Sequence, residues 1–90
     1  MKILYSKPSV KKMLKMPEKQ VAKILTTVKE AMNRAPGVRV QTLSGYKDKR
    51  EVIQCPPLFI VAVQKQFKGV QVYYVMDVLD KEDMEYYTGA

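Results

Sequence analysis

The sequence predicts an α+β domain: an N-terminal strand, a helical hairpin packed on a mainly antiparallel sheet, and a short C-terminal helical turn. Three observations carry this reading. Two apolar runs, Leu58 to Val63 and Val70 to Leu79, flank a polar insert, Gln64 to Gly69, and are rich in the β-branched and aromatic types that suit a pleated surface. Upstream, Val21, Ile24, Leu25, Val28, Ala31 and Met32 mark one face of a helix. A chain of 90 residues is enough for one domain, 1–90, with a thin core.

Lys2 to Tyr5, with Ile3, Leu4 and Tyr5, reads as a short strand that stops at Ser6-Lys7-Pro8-Ser9. Either Ser6 or Ser9 can cap the helix that follows, and Pro8 is tolerated in a first turn. Val10, Met13 and Leu14 give that helix an apolar stripe, and it runs to about Met16, where Pro17 interrupts. Glu18 favours the start of the second helix, which Pro36 and Gly37 end. Val21, Ile24, Leu25 and Val28 are expected to pack on the Leu58 to Leu79 hairpin. Val38 to Leu43 is a weak strand signal, Ser44 to Lys49 a loop, and Arg50 to Cys55 a strand that Pro56-Pro57 interrupts.

In the hairpin, Gln64 to Gly69 reads as the loop. Strict alternation along its second arm places Val70, Val72, Tyr74, Met76 and Val78 on one face. Gln71, Tyr73, Val75, Asp77 and Leu79 then share the other. Asp80 can cap a helical turn through Lys81 to Glu85, after which Tyr86 and Tyr87 follow.

Charge is the most informative part of the composition. Sixteen Lys and Arg face nine Asp and Glu, a formal +7, and the imbalance is uneven. Met1 to Met76 holds fifteen basic and four acidic residues, whereas from Asp77 onward there are one basic and five acidic. A basic body favours nucleic acids or an acidic protein partner. The longest apolar run is far below the roughly 20 residues of a membrane span, so no membrane association is expected. The opening residues lack the apolar core of a secretory signal, and a lone cysteine, Cys55, forms no intrachain disulfide; together these point to the cytoplasm.

With no histidine and one cysteine, no metal or other cofactor is expected, and the Ser-His-Asp and Cys-His catalytic sets are absent. What remains is a basic cluster, Lys47, Lys49 and Arg50 with Lys65, Lys68 and Lys81, and tyrosines at Tyr46, Tyr73, Tyr74, Tyr86 and Tyr87. Cations hold phosphates and rings stack on unpaired bases. Cleavage of RNA through its own 2′-hydroxyl needs a proton taken, a phosphorane charge stabilised and a leaving oxygen protonated. Lysine, arginine and tyrosine supply all three. An ordinary solvated loop has the same composition.

The order of elements, the opening Ile3-Leu4-Tyr5-Ser6, the helix text Val10 to Pro17, the Leu43-Ser44-Gly45 step and the Asp80 to Tyr87 segment resemble the RelE/ParE toxin superfamily of toxin-antitoxin systems. That resemblance implies a bacterial toxin with an acidic antitoxin partner. On the RelE side such proteins cut messenger RNA on the ribosome; on the ParE side they inhibit DNA gyrase. A RelE-like reading assigns Lys47, Lys49 and Arg50 to the phosphate and to proton transfer, and Tyr87, or else Tyr86, to stacking. The chain departs from the pattern at Cys55-Pro56-Pro57-Leu58-Phe59-Ile60, where no arginine follows Arg50. This departure predicts slow cleavage or none, and leaves a non-catalytic RNA- or protein-binding module open.

Overall fold

A computed structural model describes residues 1–88. The chain opens with β1 (Lys2–Tyr5), whose Ile3 and Tyr5 lean on the core, and passes directly into α1 (Lys7–Met13). Ser6 is the cap: its Oγ accepts from the Ser9 N–H at 3.2 Å and donates to the Met76 carbonyl at 2.6 Å. One side chain thus satisfies an orphan helix donor and ties the helix start to the sheet. α1 ends at Met13, a turn earlier than the sequence predicts, and Pro17 in extended geometry begins α2 (Glu18–Met32).

The sheet is completed by β2 (Val40–Thr42), β3 (Arg50–Cys55), β4 (Leu58–Phe67) and β5 (Val70–Leu79), in the order β1-β5-β4-β3-β2. β1 runs parallel to β5, and every other pairing is antiparallel. β3 and β4 meet across Pro56-Pro57, whose peptide bond is cis; Cys55 pairs with Leu58, so the two prolines alone form the turn between paired strands. The β4–β5 hairpin is longer than its apolar arms indicate. Gln64 to Phe67 belong to β4, and the turn is only Lys68-Gly69, both at positive φ (51° and 77°). Two positive φ values match the twist of the flanking strands, and backbone pairing continues regardless of side-chain polarity. β2 is shorter than the expected Val38 to Leu43.

One irregularity reorganises the faces. Val61 pairs with Asp77 and Ala62 with Val75, so Met76 is an extra residue, a bulge. Up to Val75 the alternation holds, and Tyr73 and Val75 face the helices. Past the bulge the phase reverses: Val78 joins Tyr73 and Val75 in that core, while Leu79 turns to the opposite face with Val52, Val61 and Met84. The single alternation expected for Val70 to Leu79 therefore fails at Met76, because one inserted residue inverts every side chain beyond it.

The main core lies between the sheet and the helical hairpin. Ile24, Val28 and Ala31 of α2 are fully buried with Ile53, Ile60, Ala62, Tyr73 and Val75. Leu25, expected among them, is 44% exposed. It follows Ile24 by one residue, about 100° around the helix, and so lies at the flank of the stripe. There it lines an apolar groove with Val10, Leu14 and Val21. Lys12 fastens α1 to β5, with Nζ 2.8 Å from Asp77 Oδ1 and 3.0 Å from the Val78 carbonyl.

The second sheet face is covered by α3 (Lys81–Thr88), a full helix where the sequence indicates a turn. Asp80 caps it, accepting from the Asp83 N–H at 2.8 Å. Buried Met84 and half-buried Tyr87 pack towards Val52, Val61 and Leu79.

Candidate nucleic-acid interface

Residues 43–49 connect β2 to β3 and pass beside the end of α3. Gly45 sits at φ 88°, a conformation that side-chain-bearing residues rarely adopt, and turns the chain so that Tyr46 lies over α3. The Tyr46 and Tyr87 rings stack at 5.9 Å with 28° between planes, and the Tyr46 hydroxyl donates to the Tyr87 carbonyl at 3.0 Å. Arg50 completes the cluster. Its guanidinium carbon lies 4.3 Å from the Tyr46 ring centroid, Nη1 donates to the Tyr87 hydroxyl at 2.7 Å, and Nε pairs with Asp48 at 2.9 Å. Burial pulls the Arg50 pKa down, but the hydrogen bonds to Asp48 and Tyr87 outweigh it and hold the group above its ordinary value. Arg50 is thus a fixed cation that fastens α3 to the sheet.

Two of the four sequence-predicted residues, Arg50 and Tyr87, are therefore in direct contact. The other two, Lys47 and Lys49, line an adjacent depression with Arg34, Asp48, Glu51, Gln64 and Gln71. The depression and the aromatic cluster are joined through Asp48, which borders one and bonds the other. Tyr86, 83% exposed, presents its ring to solvent beside a hollow of about 560 Å³ that Tyr46 and Tyr87 also line. Lys65 stands over Tyr74 at 4.9 Å and Lys68 near Phe67 at 5.7 Å.

At the back of the depression Glu51, with its side chain 12% exposed, accepts from Arg34 Nη2 at 2.8 Å and from the Tyr73 hydroxyl at 2.9 Å. The Glu51 hydrogen bond raises the Arg34 pKa. Burial first, and Glu51 second, raise that of Tyr73 well above its ordinary value. Sequence reasoning assigned no role to Arg34 or Glu51. The available signal was weak: Glu51 is an isolated acid at the start of an apolar strand, next to Lys49 and Arg50. Arg34 lies seventeen residues upstream, and only the return of β3 beside the end of α2 brings the two together.

Among the described residues, no three His, Cys, Asp or Glu side chains converge as a metal-holding group, and no helix is long and apolar enough to cross a membrane. The chemistry on offer is cationic and aromatic.

The fold is that of the RelE/ParE toxins. The chain is similar to the RelB-RelE antitoxin-toxin complex of Methanococcus jannaschii, with 17% identity over 93% of this chain and 96% of that one, TM-score 0.64. It is similar to the RelE-RelB complex of Pyrococcus horikoshii OT3, with 15% identity over 89% and 93%, TM-score 0.68. The YoeB/ParE toxin of Agrobacterium tumefaciens gives 16% identity over 89% and 98%, TM-score 0.68. No family model and no curated protein matches the sequence.

Proposed function

We propose that this chain is the toxin of a toxin-antitoxin pair and inhibits translation by cutting messenger RNA on the ribosome. The carrying observation is the adjacency of Lys47 and Lys49 to the Tyr46–Arg50–Tyr87 cluster, on a fold shared with RelE proteins solved in complex with RelB. Lys47, Lys49 and Arg50 face the scissile phosphate and its developing charge. Of Lys47 and Lys49, one acts as the amine and takes the proton of the 2′-hydroxyl, the 2′-oxygen bonds to phosphorus, and the P–O bond to the 5′-oxygen breaks as the ammonium of the other gives that oxygen its proton. Tyr87 carries its hydroxyl towards this step, held by Arg50, and a base stacks in the hollow lined by Tyr46, Tyr86 and Tyr87.

The partner that restrains the protein is an acidic antitoxin segment that folds on binding, drawn by the basic body, and the pair works in the bacterial cytoplasm. The test is induction followed by primer-extension mapping of messenger cuts on ribosomes. Loss of one transition-state contact lowers rates by roughly 10²–10³-fold, so Lys49→Ala and Tyr87→Ala are expected to cut that much more slowly. Unchanged cutting in both overturns the assignment.

A second reading, gyrase inhibition through protein contact, is favoured by the groove between α1 and α2, where Leu14 is 80% exposed. It predicts DNA-damage signalling on induction with no cleavage. A protein that only binds RNA produces neither.

A further inference from the structure

A hollow of about 530 Å³ opens on the sheet face beside α3, apart from both the Tyr46–Arg50–Tyr87 cluster and the lysine-lined depression. Its size lies within the roughly 300–1,000 Å³ of small-ligand sites. Its floor and one wall are apolar. Val52 of β3 and Met84 of α3 are buried there, and Leu43 and Phe59, half-buried, leave apolar surface open to it. The rim is polar. Gln41 pairs with Val52 and Gln54 with Phe59, and cross-strand partners share a face, so both amides stand beside this floor. Arg39 joins them, its carbonyl accepting from the Gln54 N–H at 3.0 Å. Among the described residues, the Arg39 side chain has no ion-pair or hydrogen-bond partner, and no acidic residue lines the hollow.

An apolar floor beside a single cation discriminates among ligands. A polyphosphate placed there would give up water against Leu43, Val52 and Phe59 with one guanidinium to replace it, which is costly. A flat ring meets the same floor along its whole surface, and the Met84 thioether gains from contact with the ring. A carboxylate on that ring accepts two parallel bonds from the guanidinium fork, and a glutamine amide can donate to its remaining lone pairs. We infer that this hollow is a binding site for a small aromatic carboxylate, held by the Arg39 guanidinium with its ring on Leu43, Val52, Phe59 and Met84. The site is separate from the proposed RNA chemistry and stands without it. It reaches that chemistry through one helix: Met84 lies three residues before Tyr87, about one turn of α3. A ligand that bridges Met84 to the β2–β3 edge braces the helix that carries Tyr87.

The probe is 2-naphthoate, a fused ring with one carboxylate, titrated into the isotope-labelled intact protein and followed by backbone amide NMR shifts. Saturable shifts are expected at residues 39–43, 52–54 and 84, with a Kd of roughly 0.1–1 mM, ordinary for a ligand of so few atoms. Removing the charge from either side is expected to weaken binding roughly 10-fold, since a charge-assisted bond is stronger than a neutral one. The ligand side is tested with the neutral 2-naphthamide, and the protein side with Arg39→Gln, an exposed position where Tm is expected to stay unchanged. Arg39→Lys is expected to recover part of the loss. At saturation, amide exchange across residues 82–87 is expected to slow while β1 and α1 keep their wild-type rates. No saturable shift, shifts centred on the groove between α1 and α2, or equal affinity for the acid and the amide overturns the site. Unchanged exchange in α3 at saturation overturns its link to Tyr87.

Discussion

Tyr73 has the bulkiest of the fully buried side chains, and its hydroxyl ends on Glu51 at 2.9 Å. Removing that hydroxyl takes one donor from a poorly exposed carboxylate, so Tyr73→Phe is expected to cost about 1–3 kcal/mol in urea denaturation near neutral pH. Its pKa in the fold lies above the ordinary 10.0, raised by burial and by Glu51. The folded chain therefore holds this proton more tightly than the unfolded one. The stabilisation is complete below pH 10 and is lost as pH rises towards the folded value. Urea midpoints from about pH 8 to about pH 11 should fall more steeply for the wild type than for Tyr73→Phe. Ile24 and Leu25 give a second residue-scale contrast. Ile24→Ala, at 0% exposure, is expected to cost about 2–5 kcal/mol. Leu25→Ala should stay within about 1 kcal/mol. Periodicity alone grouped the two, since it marks an apolar stripe without stating how much of it the sheet is wide enough to cover.

Elements with a strong repeat were legible and their junctions were not. The α2 stripe and the two arms of the β4–β5 hairpin are patterns of near neighbours, and each formed the element its period indicates, although Leu25 lies outside the covered stripe and β5 changes phase past Met76. The bulge at Met76 left no trace in the pattern, because Val78 and Leu79 are both apolar and fit either face. Its purpose lies in another element: the Met76 carbonyl is the acceptor of Ser6 Oγ, so the irregularity in β5 is where α1 is seated. Ser6→Ala removes a buried cap and this tie together, and about 1–2 kcal/mol of stability should be lost in chemical denaturation. Asp80 plays the matching role for α3. Asp80→Ala is expected to raise amide hydrogen exchange across residues 81–87 while the sheet keeps its protection, and, on the proposed RNA-directed reading, to slow cleavage through the displaced Tyr87.

Across the whole molecule, the uneven charge seen in the sequence has a structural use. The acids that crowd the last part of the chain include Asp77, which pairs with Lys12, and Asp80, which caps α3. Two acids of the negative segment thus hold helices in place, one from a half-buried position and one from an exposed one. The candidate site was half legible for the same reason of distance. Lys47, Lys49 and Arg50 are neighbours in sequence and mark a basic loop, whereas Arg34, Gln64 and Gln71 reach the depression only through folding. On the proposed RNA-directed reading Lys47, Lys49 and Arg50 contact phosphate, so the logarithm of RNA affinity should fall with the logarithm of salt at a slope of about −2. Lys49→Ala should reduce that slope by about 0.7, measured by anisotropy across a salt series. A slope near zero would remove phosphate from the account.

The parallel pairing of Lys2–Tyr5 with Val72–Val75 joins segments about as far apart as this chain permits. Closing so long a loop is entropically costly, so the rest of the sheet is expected to assemble first and β1 to arrive late. Until it does, β5 has a bare edge of unpaired backbone, the kind of surface on which a second molecule can add a strand. Any sequence fused ahead of Lys2 that slows this arrival should lengthen the exposed interval and lower the yield of monomer on refolding, most visibly at high protein concentration.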